Sequence, residues 1–215
     1  MDRRKFLKNS LLAAGVLAGS TIFKQSVFSN TSDTENKKMK ILVLTGSPRK
    51  NGNSNILADN FIKGATEKGH KVYRFDSAFK NVHPCIGCNK CGMDGPCVFN
   101  DDFNFVREHI VDADLVVFVT PMYYFGISAQ LKAVIDRFYA INGKIHVPKK
   151  AALFMTYANN SSHDEQPIRT HYDVLLDYLG WKDTGRFIVP GVWTTGSINR
   201  TDYPKKVYEF GKSLS

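Results

Sequence analysis

Short apolar runs alternate with amphipathic stretches from residue 40 to the end of the chain. The apolar runs predict five β-strands, at residues 41–44, 70–75, 114–119, 151–155 and 187–189. Apolar residues at helical spacing predict five helices, at residues 55–68, 101–111, 129–139, 171–179 and 204–212. This alternation favours an α/β fold with a doubly wound parallel sheet. We expect ligands to bind beyond the carboxyl ends of its strands.

The polar loop that joins the first strand to the first helix is a candidate anion site. The loop reads GSPRKNGNSN over residues 46–55, and Ser54 or Asn53 is predicted to cap the helix. It lacks both the Gly-Lys-Ser/Thr ending of an ATP-type loop and the spacing of a dinucleotide fold, which favours a monophosphate. An ordinary βα turn uses the same residue types. The predicted phosphate ligands are Ser47, Arg49, Asn51, Asn53, Ser54 and Asn55.

An aromatic segment follows the most apolar predicted strand. Three aromatic residues at the carboxyl end of a buried strand would suit a flat ring ligand, and core or dimer packing is the alternative. A glycine at the end of the segment lets the backbone approach a ligand closely. The candidate ring-binding residues are Pro121, Met122, Tyr123, Tyr124, Phe125 and Gly126.

All four cysteines of the chain lie in one short segment, as Cys85-x2-Cys88-x2-Cys91-x5-Cys97. The first three have nearly the spacing of ferredoxin-type clusters, although the gap before Cys97 is longer. Tetrahedral zinc is an alternative, but it usually binds two separated pairs of cysteines. Disulfides are a further alternative in an oxidising compartment. We therefore expect the four cysteines to form a metal or redox site.

The length and charge exclude some classes of protein. A chain of 215 residues fits one domain with a substantial core. The formal net charge is +9, and four of these charges come from the segment 1–38. Because no run of Lys and Arg with interleaved aromatics follows Met39, we expect no nucleic-acid partner.

The segment 1–38 predicts a signal peptide and a polar linker. A basic start is followed by a weakly apolar run, LLAAGVLAGSTIF, that is too short for a membrane span. The segment RRKFLK resembles the twin-arginine consensus of bacterial Tat export. We therefore expect export to the periplasm or the exterior of the cell envelope, with no membrane span once the signal is removed. Tat carries folded proteins, which suits a cofactor inserted in the cytoplasm.

Three segments together resemble the NADPH-dependent FMN reductase family and its iron–sulfur flavoprotein branch. GSPRKNGNSN resembles the family's phosphate loop, and ADLVVFVTPMYYFGISAQLKAVIDRF resembles its flavin-ring loop and following helix. PCIGCNKCGMDGPCVFNDD is similar to the compact motif that ligates a four-iron cluster (4Fe-4S) beside FMN. The resemblance implies a flavodoxin-like, five-stranded domain over residues 39–215 that binds FMN. Asp136 and Arg137 also fit the family pattern, and we interpret this pair as structural.

The resemblance implies an exported FMN-dependent oxidoreductase that passes electrons to an unknown acceptor. Family members take hydride from NAD(P)H, which is not expected outside the cytoplasm, so the predicted donor is a membrane quinol or a redox partner. The predicted acceptor is a redox partner or a quinone-type molecule. A non-enzymatic electron carrier is the alternative. The resemblance also implies a homodimer or homotetramer, which would cover the exposed aromatic residues.

Overall fold

Five parallel strands form the centre of the computed structural model, which describes residues 37–215. The strands are β1 (Lys40–Thr45), β2 (Lys71–Asp76), β3 (Leu115–Tyr123), β5 (Lys150–Thr156) and β6 (Lys182–Val189). They lie in the order β2-β1-β3-β5-β6, and a two-residue strand, β4 (Gly126–Ile127), pairs antiparallel with the end of β3. This is the flavodoxin-like order, with its switch point between β1 and β3. The predicted fold class is confirmed.

Helices cover both faces of the sheet. They are α1 (Asn53–Glu67), α2 (Phe103–Val111), α3 (Ala129–Asp136), the single turn α4 (Asn142–Ile145), α5 (Gln166–Leu179) and α6 (Tyr203–Ser213). Ile41 and Val43 of β1 pack with α1 and α6, whereas Leu42 and Leu44 pack with α2, α3 and α5. Successive strand residues point to opposite faces, so a strand covered on both sides is apolar at every position. This explains the continuous apolar run that the sequence contains.

The two edge strands are less buried than the central ones. β2 and β6 are mostly half-exposed, which confirms the prediction of an edge strand at residues 70–75. β6 begins at Lys182 rather than at residue 187, because its first half carries polar residues that only an edge strand accepts. Its apolar end alone could be recognised in the sequence.

Three helix ends differ from the prediction. The N-cap of α1 is Gly52, so the prediction of Ser54 or Asn53 as the cap is wrong. α5 begins at Gln166 rather than at residue 171, because the proline at position 167 lies in its first turn, where no amide donor is needed. α3 ends at Asp136 and continues as a 3₁₀ turn, Arg137–Ile141, instead of running to residue 139.

The predicted signal peptide falls on residues that lie almost entirely outside the described part of the chain, which begins at residue 37. Its boundary at residue 38 stays a prediction. Within residues 37–215, no helix is both long enough and apolar enough to cross a membrane.

Candidate functional site

A cleft of about 500 Å³ lies beyond the carboxyl ends of β1, β3, β5 and β6. Four loops line it, because parallel strands bring their carboxyl ends to one edge of the sheet. The volume is within the range that holds a small cofactor. The lining residues belong to positions 47–54, 121–123, 156–158 and 192–195.

One end of the cleft has backbone N–H groups that are free to bind a ligand. α1 begins there, and its N-cap Gly52 has no side chain to satisfy the first amide groups. The N–H groups of Asn53, Ser54 and Asn55 have no hydrogen-bond partner among residues 37–215. Free amides and the positive end of a helix attract phosphate. This end of the cleft therefore has the chemistry predicted for the loop.

Gly52 lets the loop fold tightly against the helix. A Cβ atom at this position would lie 2.7 Å from Ser47 Oγ and 3.0 Å from the Arg49 carbonyl oxygen. Ser47 is buried, and its hydroxyl exchanges hydrogen bonds with the backbone of Arg49. The Arg49 side chain is exposed at the rim and has no hydrogen-bond partner within the described residues. Ser47, Arg49 and Ser54 thus lie where the sequence predicts phosphate ligands.

The three asparagines of the loop have different surroundings. Asn51 is exposed and does not line the cleft. Asn55 is buried, and its side-chain amide donates to the carbonyl oxygens of Arg49 and Lys50, so it shapes the loop. Asn53 lines the cleft, but its side-chain amide donates to the carbonyl oxygens of Val192 and Thr194. The side chains of Asn53 and Asn55 hold backbone segments in place, a role that the sequence did not predict.

The aromatic segment divides into a part in the cleft and a part outside it. Pro121, Met122 and Tyr123 line the cleft. Tyr124 and Phe125 form the turn between β3 and β4, do not line the cleft, and are 100% and 48% exposed. Gly126 pairs with Tyr123 across this turn and also lies outside the cleft lining.

The turn at Tyr124 and Phe125 is strained. Their φ angles are +44° and +62°, in the left-handed region that glycine and asparagine favour in two-residue hairpin turns. A bulky aromatic residue in this region costs about 1–2 kcal/mol. Strain of this kind concentrates at functional sites.

Two further segments complete the walls of the cleft, and sequence reasoning missed the one after β6. Thr156 is the last residue of β5, Tyr157 and Ala158 follow it, and residues 192–195 follow β6. Trp193 is 76% exposed at the rim. Only the position of these loops after strands could have indicated them, because neither loop carries a recognisable motif.

A buried polar pair supports the wall after β5. The Tyr157 hydroxyl donates to Glu165 Oε2 over 3.0 Å, and Arg169 Nε donates to the other carboxylate oxygen over 2.6 Å. Burial, followed by the bond to Glu165, raises the pKa of Tyr157 to about 12. Tyr157 is therefore a neutral hydrogen-bond donor at physiological pH, and it fixes the course of the loop.

The four cysteines lie apart from this cleft, in the segment between β2 and α2. They are free thiols, and Cys85, Cys88, Cys91 and Cys97 all line one small cavity of about 10 Å³. Cys85 and Cys88 are exposed, and the other two are half-buried. Between them the backbone turns repeatedly into the left-handed region, at Gly87, Asn89, Gly92 and Met93. Such turns can direct several N–H groups towards one anionic centre, as at many iron–sulfur sites.

Half-buried contacts hold the ends of the cysteine segment, and an exposed contact holds its middle. Arg137 donates through Nη1 to Asp101 Oδ2 over 2.9 Å and to the His83 carbonyl oxygen over 2.8 Å. Arg137 also lines the cysteine cavity, and its buried Nε has no hydrogen-bond partner among residues 37–215. In the middle of the segment, the Tyr139 hydroxyl donates to Asn89 Oδ1 over 2.8 Å. These contacts support the interpretation of Arg137 as structural.

The four thiols are suitable ligands for an iron–sulfur cluster, but the cavity that they line is too small to contain one. Within residues 37–215, no three His, Cys, Asp or Glu side chains are placed to hold a single metal ion. A cluster of several irons separates its thiolate ligands more widely than one zinc ion does, so this finding counts mainly against zinc. A cavity of about 10 Å³ has room for roughly one water molecule. A cluster would require the exposed part of the segment to move outward.

The sheet order and the four-loop cleft define a flavodoxin-like α/β protein. The solved structures similar to it include an NAD(P)H:quinone oxidoreductase from Methanothermobacter marburgensis. That structure is 18% identical, has a TM-score of 0.66, and aligns with 83% of this chain and 100% of its own. An archaeal flavodoxin gives a TM-score of 0.51 at 12% identity, over 82% and 96% of the two chains. These similarities establish the fold.

Residues 39–191 match the family model for NADPH-dependent FMN reductase, and the chain belongs to this family. An iron-sulfur flavoprotein of Methanocaldococcus jannaschii is 36% identical over 46% of this chain and 51% of its own length. A putative NAD(P)H-dependent FMN-containing oxidoreductase of Bacillus subtilis is 30% identical over 46% and 51%. The chain thus spans about half the length of these curated relatives. Membership supports an FMN-binding oxidoreductase.

Proposed function

We propose that the protein is an FMN-dependent oxidoreductase that passes electrons from a donor to a quinone-type molecule or a redox protein. The observation that carries this proposal is the cleft of about 500 Å³, with free helix amides at one end and Pro121, Met122 and Tyr123 among its walls. The residues present fit FMN, because the amides suit a phosphate and the apolar segment suits a flat ring.

The residues of the cleft bind and orient the cofactor. The free amides of α1, the Ser47 hydroxyl and the Arg49 guanidinium would hold the phosphate. Pro121, Met122 and Tyr123 would contact the ring. When bound, FMN supplies the hydride and electron chemistry, so the chain needs no acid or base of its own.

We further propose that Cys85, Cys88, Cys91 and Cys97 hold a four-iron cluster. Three features support it: the four cysteines line a single cavity, the backbone between them makes left-handed turns, and the buried Nε of Arg137 at the cavity wall has no partner within the described residues. The printed names of several relatives, iron-sulfur flavoproteins, also favour a cluster. Disulfide formation by the free thiols is the competing outcome.

The proposal includes export through the Tat pathway, on the basis of the RRKFLK segment alone. In that case the donor is not soluble NAD(P)H but a membrane quinol or a redox partner. Replacing Arg3 and Arg4 by Lys should abolish export of a tagged full-length chain, whereas equal fractionation of both forms would refute it.

A spectrum of anaerobically purified protein tests the cofactor proposals. We expect the absorbance of oxidised flavin, FMN in the supernatant after heat denaturation, and a broad sulfur-to-iron shoulder with about four irons per chain. Protein that contains flavin but no iron would refute the cluster proposal and leave the FMN proposal standing. Absence of flavin from protein reconstituted with FMN would refute the main proposal.

Turnover distinguishes an enzyme from an electron carrier. A non-enzymatic carrier would exchange electrons only with a protein partner, whereas an oxidoreductase should reduce a soluble quinone analogue catalytically. We expect catalysis with a quinol or an artificial donor. Rapid turnover of NADPH at micromolar concentrations would instead indicate the nicotinamide donor of the family.

Size-exclusion chromatography with light scattering would show whether the chain forms the dimer or tetramer that the exposed Tyr124 and Phe125 favour.

A further inference from the structure

The loop after β6 faces the same cleft as the phosphate loop, although the two lie near opposite ends of the domain's sequence. Val192, Trp193, Thr194 and Thr195 all line the cleft. The N–H groups of the last three have no hydrogen-bond partner within the described residues. A second set of free amides and two hydroxyls therefore lies at the cleft, in addition to those of α1.

Asn53 ties this loop to the start of α1. Its side-chain amide donates to the carbonyl oxygens of Val192 and Thr194 over 3.1 Å and 3.0 Å, and to Ser197 Oγ over 3.3 Å. Its side-chain oxygen accepts the N–H of Ile198 over 3.3 Å. Asn53 is buried, so these bonds are protected from competition with water.

The rest of the loop is also held from behind. The N–H of Val192 donates to the Tyr157 carbonyl oxygen over 2.9 Å, and the Val192 side chain is buried in the core. Gly191 and Gly196 adopt φ angles of +71° and +78° and turn the chain at both ends of the loop. The loop is therefore a fixed wall and its free polar groups are held in position.

We propose that residues 192–195 form a second wall of the phosphate end of the cleft, and that Asn53 is the positioning residue that holds this wall in place. The inference rests on the proposed binding of FMN in the cleft. The wall would contact the phosphate from beside the start of α1, through its amides and the hydroxyls of Thr194 and Thr195. It would therefore contribute to the affinity for a phosphorylated flavin and not to the affinity for riboflavin.

Flavin-stripped full-length protein, titrated with FMN and with riboflavin, tests the inference. In Asn53→Ala we expect the affinity for FMN to fall on the order of tenfold, because amide bonds to a charged group are strong. The affinity for riboflavin should change less than about twofold, since riboflavin lacks the phosphate that these bonds recognise. Asn60→Ala is the matched control, because Asn60 lies on the same helix and, within the described part of the chain, its side chain bonds only to the Ile56 carbonyl oxygen.

The outcomes separate this inference from the proposed function. Equal losses of FMN and riboflavin affinity in Asn53→Ala, or values equal to those of Asn60→Ala, would overturn the inference while FMN binding stands. A wild-type protein that binds neither flavin would overturn both. If Asn53→Ala does not fold, Ser197→Ala removes only one of the bonds, outside the cleft lining, and should still weaken FMN alone. No difference in that variant would also refute the inference.

Discussion

Replacing Arg137 with methionine should strongly destabilise the protein. The side chains of Arg137 and Asp101 are 1% and 2% exposed, and two hydrogen bonds of 2.9 Å and 3.3 Å join them. Arg137 also donates to the carbonyl oxygens of His83 and Phe99, which flank the cysteine segment. Methionine preserves the apolar part of the side chain but removes the charge and every donor.

The expected loss follows from the buried carboxylate that remains. Breaking a buried ion pair on one side costs about 3–5 kcal/mol, because the other charge stays buried without a partner. Asp101 keeps its hydrogen bonds from the N–H groups of His83 and Phe103, so we expect the loss of stability to lie in the lower part of this range. For a domain of this size, 1 kcal/mol corresponds to roughly 2–4 °C, and the unfolding midpoint should fall by about 6–12 °C.

Thermal and urea denaturation of metal-free protein would measure this change. Lys132→Met is the matched control, because Lys132 forms an exposed pair with Asp136 on α3, where about 0.5 kcal/mol is expected. The thiols of Arg137→Met should also react faster with a thiol reagent, since both ends of their segment lose contacts. If Arg137→Met lowers the midpoint no more than Lys132→Met, the reasoning on the buried pair is wrong.

The Arg137–Asp101 pair also predicts how the stability of the protein depends on pH. Burial by itself raises the pKa of Asp101, but the hydrogen bonds from Arg137, His83 and Phe103 outweigh it and hold the pKa below its ordinary value. A lowered carboxyl pKa adds stability that is complete above pH of about 4 and is lost as the pH falls through the folded-state value. The stability difference between wild type and Asp101→Asn should therefore shrink below pH of about 4; a constant difference would contradict this.

Three further substitutions have clear expected results. Gly46→Ala should lower the free energy of unfolding by about 1–3 kcal/mol, because its Cβ would lie 2.2 Å from Ser128 Oγ; an unchanged denaturation midpoint would show that α3 can shift. Phe125→Gly should raise stability by about 1 kcal/mol, since glycine adopts the positive φ without strain, whereas a lower midpoint would mean that the ring makes stabilising contacts. Glu165→Gln should lower the pKa of Tyr157 from about 12, as followed by NMR of labelled tyrosine, because the negative charge beside its hydroxyl is removed; an unchanged pKa would mean that burial and the hydrogen bond account for the rise.

The central part of the fold could be predicted because it depends on a local pattern. The run at residues 41–44 is apolar at each position, and each residue is covered by one of the two helical layers. The polar loop at residues 46–55 was also recognisable, since its glycine, serine and asparagine residues lie next to one another in the chain. Such features need only short-range information.

The second wall could not be predicted, because it depends on contacts between distant segments. Asn53 was expected to bind phosphate through its side chain, yet that side chain bonds to residues of the loop after β6, far along the chain. Nothing in the sequence near Asn53 or Trp193 indicates this contact. The positions of Tyr124 and Phe125 could not be predicted either. They directly follow Tyr123 in the sequence, but they form a two-residue turn that lies outside the cleft.

The β3–α3 segment connects the two candidate sites directly. Tyr123 at the end of β3 lines the cleft, α3 follows after the turn and β4, and Arg137 directly after α3 lines the cysteine cavity. α3 has eight residues, so it is roughly 12 Å long. It is anchored in the core by Leu131 and Val134, which leaves little freedom for one end to move relative to the other. If both sites carry the proposed cofactors, this segment would hold the two sites at a fixed separation.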